Sequence, residues 1–255
     1  MPYNNKNMIL DENSLKQILR KYGITQDPNQ VNIYRMAMVH KSYCIRRNEN
    51  ILNGNECCPT DCLPLQEVCN ERLEYLGDSV LSLIVASYLY ERYPTENEGF
   101  LTKVRTRLVN GNMLAQLADY VDMSRWLIIS SQIEENDGRK NKKILEDTLE
   151  ALIGAIYIDF GFPTAKCWVI NLIEENLDFC ELLTVTNFKD TLFKSYQFNF
   201  QKLPIFEELN KGSNKSTICI KDPNGSIISV GYGTNKKEAE NDAAKNALGL
   251  LGWLN

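Results

Sequence analysis

The stretch Asn70-Glu71-Arg72-Leu73-Glu74-Tyr75-Leu76-Gly77-Asp78-Ser79-Val80-Leu81 decides how the chain folds and what it can bind. Its apolar positions predict a helix, and on a helix the acids Glu71, Glu74 and Asp78 share one face because they are three and four residues apart. Like charges held this close repel one another unless a cation lies between them, so a purely structural helix has no reason to carry them. The pattern therefore indicates a metal site.

A second acidic segment has the same character. Residues 144–155 read Ile-Leu-Glu-Asp-Thr-Leu-Glu-Ala-Leu-Ile-Gly-Ala and place Asp147 and Glu150 three residues apart on another apolar helix. Two such helices packed face to face would bring four or five carboxylates together. Oxygen ligands of this kind suit Mg²⁺ or Mn²⁺, which bind through carboxylates, water and substrate phosphates. The natural use of such a site is phosphate ester chemistry.

Composition excludes several other functions. The 255 residues include one histidine, His40, which is too few for a zinc metallopeptidase or a two-histidine metal site. Its apolar setting predicts a hydrogen-bonded core histidine on a helix. The longest apolar run, 80–90, is interrupted by serines and is too short to span a membrane, and residues 1–7 show no secretory signal. We expect an intracellular, cytoplasmic protein with no membrane partner and no small-molecule cofactor.

Four of the eight cysteines lie close together in a polar insertion at about 46–69. They are Cys57, Cys58, Cys62 and Cys69. A zinc site would normally show paired Cys-x-x-Cys spacing, which is absent, so a solvent-exposed insertion with reduced thiols is favoured over a metal site.

A change from helical to strand-like sequence patterns after about residue 183 divides the chain into two predicted domains, residues 1–183 and 187–255. In the first we predict helices over 14–22, 31–43, 70–93, 101–109, 112–119, 142–160 and 164–178. In the second we predict a helix over 188–196, strands over 205–209, 216–221 and 227–232, and a closing helix over 236–251.

The second domain has nine lysines and seven acids, whereas the preceding residues have 19 basic and 26 acidic side chains. The basic surplus predicts modest, salt-sensitive affinity for nucleic acid.

These segments together resemble the ribonuclease III family. Residues 70–81 look like the signature helix of the family and 147–154 like its second acidic motif, while the segments 39–43, 98–102 and 108–110 also fit its pattern. The element order after residue 187 is that of a double-stranded RNA-binding domain, and 233–240 followed by two alanines resembles its last-helix motif. The implied fold is multidomain: an all-α ribonuclease III-like endonuclease domain followed by a small α+β (α-β-β-β-α) double-stranded RNA-binding domain.

The resemblance implies a Mg²⁺-dependent endoribonuclease, with Mn²⁺ able to substitute, that hydrolyses double-stranded RNA to 5′-phosphate and 3′-hydroxyl ends. Glu74, Asp147 and Glu150 would ligate the metal, and Asp78 would help to hold a second cation or the attacking water. The alternative hypothesis is a protein that sequesters double-stranded RNA, or a scaffold, with a vestigial nuclease domain. Retention of all four mutually repelling acids favours the enzyme.

The resemblance also implies a homodimer. Each chain has one catalytic domain and therefore one site per subunit, whereas cutting both strands of a duplex requires two. Glu71 and Glu98 match family positions concerned with dimer contact and site architecture. Outward apolar residues of the signature helix, such as Tyr75 and Leu76, are candidates for the dimer surface.

The candidate RNA-binding residues lie in the second domain. They are Lys236, Lys237, Lys194, Gln197 and Lys215. Two lysines at a helix N-terminus are well placed for phosphates, and this role is favoured over the alternative of a solvated helix end. The chain departs from the family at 211–215, where a Gly-Pro-x-His loop is usual, and at Glu240, where many members have a third basic residue.

Overall fold

The computed structural model describes residues 2–45, 58–183, 188–212 and 215–253, and it has two compact units. The first unit is Met1–Leu182 and the second is Leu183–Asn255. The first unit is helical, and the second combines two helices with a three-stranded sheet. The predicted fold class is therefore confirmed.

The first unit is built from ten α-helices within the described residues, the last of which ends at the unit boundary. They are α1 Glu12–Lys21, α2 Val31–Ala37, α3 Glu71–Arg92, α4 Glu98–Leu108, α5 Gly111–Tyr120, α6 Met123–Trp126, α7 Ser131–Glu135, α8 Lys142–Phe160, α9 Phe162–Asn176 and α10 Phe179–Leu183. Short 3-10 turns cover Lys41–Tyr43 and Gly138–Lys140. The three short elements between 123 and 140 and the one at 179–183 were not predicted, because a helix of about one turn is too short to show a periodic pattern in the sequence.

Helix α8 is the centre of this unit. All residues from Thr148 to Ile156 are buried, so the helix is covered on every side and not on one stripe. Helices α2, α3, α5 and α9 pack around it, and the contact with α3 is the most extensive. The two acidic helices of the sequence therefore form the core pair of the domain.

The predicted helix over 31–43 is wrong in its second half. Helix α2 ends at Ala37, and Val39 instead forms a parallel bridge with Ile128. His40 has extended backbone, and its Nδ1 lies 2.8 Å from the hydroxyl of Ser42. The histidine is half-buried and hydrogen-bonded as expected, but it caps a 3-10 turn and does not lie on a helix.

Arg139 anchors the N-terminal segment to the first unit. Its Nη1 donates to the carbonyl oxygens of Ser124 and Leu127, its Nη2 donates to Asn7, and its Nε lies 2.8 Å from a carboxylate oxygen of Glu134. Arg139 and Glu134 are mostly buried, so this is a shielded pair with further hydrogen bonds. The arginine thus links residues that are more than 100 positions apart in sequence.

The second unit has one sheet in the order β1-β2-β3, with both pairs antiparallel. Its elements are α11 Phe188–Phe200, β1 Ile205–Gly212, β2 Lys215–Lys221, β3 Ile227–Gly233 and α12 Lys236–Leu250. The predicted turn after β2 is present: Gly225 has φ +90°, and Asp222 accepts hydrogen bonds from the amides of Asn224 and Ser226. The alanine face of α12 packs on Ile218 and Ile220, which form the core with α11.

Candidate functional site

Two glycines let helices α3 and α8 approach closely. A Cβ on Gly77 would overlap the carbonyl oxygen of Glu150, and a Cβ on Gly154 would overlap that of Leu73. Only glycine fits where two backbones are this close. The candidate acids lie within one turn of this crossing: Glu74 precedes Gly77 by three residues, and Glu150 precedes Gly154 by four. The glycine contact therefore sets the distance between the acids of the two helices.

Three of the predicted metal ligands meet at this crossing. Glu74, Asp147 and Glu150 each offer a carboxylate oxygen, and these oxygens lie within 4.8 Å of one another. Glu150 is the deepest, with 6% of its surface exposed, whereas Glu74 and Asp147 are partly exposed. One wall of the group is closed and the other is open to solvent, as a site for a metal and a polymeric substrate requires.

Charge repulsion and burial perturb these acids. Burial, followed by the negative charges of Asp78 and Glu146, raises the pKa of Glu150 to about 8. Burial and the charge of Asp147 also raise the pKa of Glu74. Carboxyl groups that resist ionisation in the absence of a cation are characteristic of a site that needs one.

The other predicted acids lie outside the group of three. Asp78 is exposed one turn after Glu74, and its charge is the largest neighbouring influence on Glu150. Glu71 is an exposed residue whose carboxylate is 2.9 Å from the ammonium of Lys41. Glu98 lies in the first turn of α4, where it accepts a hydrogen bond from Thr102. Glu71 is close enough for its charge to act on Glu74, whereas Glu98 lies at the start of a different helix.

Sequence reasoning missed two charged residues beside the site. Lys143 Nζ is 2.8 Å from Asp147 Oδ1 and 3.5 Å from Glu146 Oε2. The hydrogen bond to Asp147 raises the pKa of Lys143, so its side chain stays charged. The spacing of three and four residues was visible in the sequence as a helical ion-pair pattern.

The donor set fits a hard divalent cation. All three converging groups are carboxylates on rigid helices, which suits Mg²⁺ or Mn²⁺ and not the thiolate or imidazole sites of softer metals. None of the described cysteines of the insertion belongs to this group, and residues 46–57, including Cys57, lie outside the described residues. The other three cysteines of the insertion, Cys58, Cys62 and Cys69, are free thiols.

One face of α3 carries exposed apolar side chains. Tyr75 is 80% exposed, and Leu83 and Tyr90 follow it at intervals of eight and seven residues. This spacing forms a stripe along one side of the helix. Leu76, the other predicted surface residue, is half-buried. No described helix combines the length and the apolar composition that a membrane crossing requires.

The second unit presents its candidate RNA contacts on two helices. Lys236 and Lys237 are exposed in the first turn of α12, which Asn235 caps by accepting a hydrogen bond from the amide of Glu238. Lys194 and Gln197 are exposed on α11. The side chain of Lys215 and residues 213–214 of the divergent loop lie outside the described residues.

Glu240 has a local partner. Where a third basic residue was expected by resemblance, its carboxylate is 2.6 Å from the ammonium of Lys189 on α11. The acid therefore links the two helices of the second unit and is neutralised there.

Comparisons with known proteins agree with this architecture. Residues 30–177 match the family model described as ribonuclease-III-like, and residues 189–251 match the double-stranded RNA binding motif. Ribonuclease 3 of Borreliella burgdorferi is 32% identical over 251 residues, which cover 95% of each chain. A probable ribonuclease 3 of Acanthamoeba polyphaga mimivirus is 32% identical over 250 residues, or 95% of this chain and 46% of that protein. This chain thus spans about half the length of its mimivirus relative.

A solved structure gives the same result for the first unit. The nuclease domain of ribonuclease III from Campylobacter jejuni is 33% identical, with a TM-score of 0.53, and the match covers 66% of this chain and 99% of that one. The family model alone matches more than half of the 255 residues. The chain therefore belongs to the ribonuclease III family of endoribonucleases and carries a double-stranded RNA-binding motif after its nuclease domain.

Proposed function

We propose that the protein hydrolyses double-stranded RNA as a Mg²⁺-dependent homodimer with one site per subunit, leaving 5′-phosphate and 3′-hydroxyl ends. The observation that carries the proposal is the convergence of Glu74, Asp147 and Glu150 within 4.8 Å, next to the exposed carboxylate of Asp78. Mn²⁺ has the same preference for oxygen ligands and is expected to substitute.

In this proposal the three converging acids hold the cation, and Asp78 orients the attacking water. A divalent cation held by these residues would lower the pKa of a bound water molecule and stabilise the leaving 3′ oxygen. Glu150 is the most buried of the three, so its carboxylate has little contact with water and few alternative partners. Asp78 is exposed, so it can reach a water at the face that the RNA approaches.

The second unit supports a duplex substrate. A domain of this architecture recognises double-stranded RNA by shape, across successive minor grooves and the phosphates between them. Lys236 and Lys237 project from the N-terminal turn of α12, where the backbone amides and helix dipole also favour phosphate.

The exposed apolar stripe on α3 supports the dimer. The Campylobacter nuclease domain is described as having a region involved in dimer formation. On this chain, Tyr75, Leu83 and Tyr90 offer an apolar surface of the kind that a two-fold interface buries. Two-fold symmetry would direct one site at each strand of the duplex.

Cleavage tests the proposal directly. The full chain is incubated with a long RNA duplex in MgCl₂, in MnCl₂ or in EDTA, and Glu150→Gln is compared with Glu175→Gln, the same change at an exposed acid of α9. We expect cleavage with either metal, none in EDTA, and a loss of at least about 100-fold in Glu150→Gln alone. Wild-type protein that binds the duplex and leaves it intact in MgCl₂ would support the binding-only alternative and refute the enzyme.

The dimer is tested separately by sedimentation of Tyr75→Lys. We expect this variant to shift toward monomer, whereas Tyr232→Lys, a change at an exposed tyrosine of β3, leaves the distribution unchanged. A wild-type chain that sediments as a monomer at every concentration contradicts the proposed assembly.

A further inference from the structure

Helix α8 begins with two lysines in an unfavourable place. Lys142 and Lys143 occupy its first turn, which contains no acid, and the partial positive charge of a helix N-terminus disfavours cations there. Asn141 already caps this terminus by accepting hydrogen bonds from the amides of Lys143 and Ile144. The lysines therefore contribute nothing to the cap, and any favourable role must come from what their ammonium groups contact.

The ammonium of Lys143 contacts one of the proposed metal ligands. Its Nζ lies 2.8 Å from Asp147 Oδ1, and the side chains of Asp147 and Glu146 are each only 18% exposed. The Lys143 side chain itself is 65% exposed, so it is not held in place by packing. In the absence of a metal, this ammonium offsets part of the repulsion among the converging acids.

Glu146 provides a second partner for the same ammonium. Its Oε2 lies 3.5 Å from Lys143 Nζ, and it is not one of the three converging acids. Glu146 packs against the start of α5, where a Cβ on Gly111 would lie only 2.7 Å from the same oxygen. Glu146 therefore remains available to Lys143 when Asp147 is otherwise engaged.

We propose that Lys143 is the internal counter-ion of the metal-free site, and that its ammonium leaves Asp147 for Glu146 when Asp147 binds a divalent cation. This inference rests on the proposed function, because it takes Asp147 to be a metal ligand. Lys143 is then a positioning residue that stabilises the empty site and weakens its affinity for the metal. The metal affinity of the site is therefore lower than it would be without Lys143, but the acid cluster is more ordered when no metal is bound.

Lys142 is a matched control for Lys143. It has the same charge, lies in the same helical turn and experiences the same helix dipole. Its Nζ, however, is 2.8 Å from the side-chain oxygen of Asn112 on α5, and not beside Asp147. The variants Lys143→Met and Lys142→Met therefore differ in which contact is lost.

The test uses the full chain without RNA. MgCl₂ is titrated into EDTA-treated, dialysed protein by calorimetry, and thermal unfolding is followed without metal. Removing the positive charge that lies 2.8 Å from a proposed metal ligand should tighten Mg²⁺ binding about tenfold in Lys143→Met. Lys142→Met should stay within about twofold of wild type. Without metal, Lys143→Met should unfold at a lower temperature than Lys142→Met.

A second readout needs no substitution in the acid cluster. The ¹⁵N resonance of the Lys143 ammonium, assigned through its absence in Lys143→Met, should shift when MgCl₂ is added to wild-type protein, while that of Lys142 should not. If Lys143→Met binds Mg²⁺ no more tightly than wild type, or if the Lys143 resonance does not respond, the inference is overturned. The proposed function still holds in that case if wild type binds Mg²⁺ and Glu150→Gln does not. If wild type binds no Mg²⁺, both the inference and the proposed function are overturned.

Discussion

In the metal-free protein, Glu150 should lower the free energy of unfolding at neutral pH. Its pKa is raised from 4.5 to about 8, mainly by burial and then by the charges of Asp78 and Glu146. A carboxyl group with a raised folded-state pKa stabilises the fold fully below its unfolded pKa, and this contribution is lost as the pH rises through the folded pKa. Between about pH 5 and about pH 7.5 the loss amounts to about 3 kcal/mol, at about 1.36 kcal/mol for each pH unit in which only the unfolded state is ionised.

The perturbation that isolates this cost is Glu150→Gln, which keeps the shape of the side chain and removes its charge. Free energies of unfolding are measured with urea in EDTA, at a fixed protein concentration, at about pH 5 and about pH 7.5. Relative to wild type, the variant should gain about 3 kcal/mol between the two pH values. Glu175→Gln, at an exposed position, should show no such gain.

Two results would refute the reasoning. One is a difference between wild type and Glu150→Gln that does not change with pH. The other is a variant that becomes less stable, relative to wild type, as the pH rises. Addition of MgCl₂ at neutral pH should stabilise wild type and leave Glu150→Gln unchanged, because a ligand stabilises only the protein that binds it. The same residue would then destabilise the empty site and stabilise the loaded one.

Three further variants test the crossing, the N-terminal anchor and the RNA interface. Gly77→Ala should destabilise the protein by about 2 kcal/mol and weaken Mg²⁺ binding in calorimetry, since a methyl group forces α3 away from α8; unchanged affinity would mean that the crossing does not set the site. Arg139→Ala should lower the free energy of unfolding by about 3 kcal/mol in urea titrations, because the mostly buried carboxylate of Glu134 loses its guanidinium and Arg139 loses its hydrogen bonds to backbone carbonyls; a loss below about 1 kcal/mol would mean that the pair contributes no more than an exposed one. Replacing Lys236 and Lys237 by alanine should weaken duplex binding and lower the slope of log K against log salt by about two in filter-binding assays; an unchanged slope would make them a solvated helix end.

The sequence predicted the long elements well because their patterns are strong. The predicted bounds of α8, 142–160, coincide with those observed, and the capping Asn141 and the terminal Gly161 explain why both ends were readable. The helix predicted over 31–43 failed because its apolar residues continue past Ala37 while the backbone turns to pair with Ile128. That bridge joins residues 89 positions apart. A contact of this range is decided by tertiary structure and not by local pattern.

The acids of the site were readable for a different reason. Glu74, Asp147 and Glu150 interrupt apolar helices, so each is a visible local inconsistency of the kind that functional sites show. Lys143 was not readable in this way, since a lysine next to another lysine at a helix start looks like solvated surface. The spacing of four residues permits an ion pair with Asp147, and the positions of the atoms show that it forms. Opposite charges three or four residues apart on a helix therefore indicate an ion pair, also where one of them is a candidate metal ligand.

Helix α3 connects the two halves of the proposed function. Its buried side carries Gly77, which contacts α8, and Glu74, which joins the acid group. Its exposed side carries Tyr75 and Tyr90, which are candidates for the subunit contact. In the proposed dimer, a two-fold axis beside this helix would fix the separation of the two acid groups and hence the offset between the two cuts. Because Glu74 and Tyr75 are consecutive residues on one rigid helix, the metal site and the subunit contact cannot move independently.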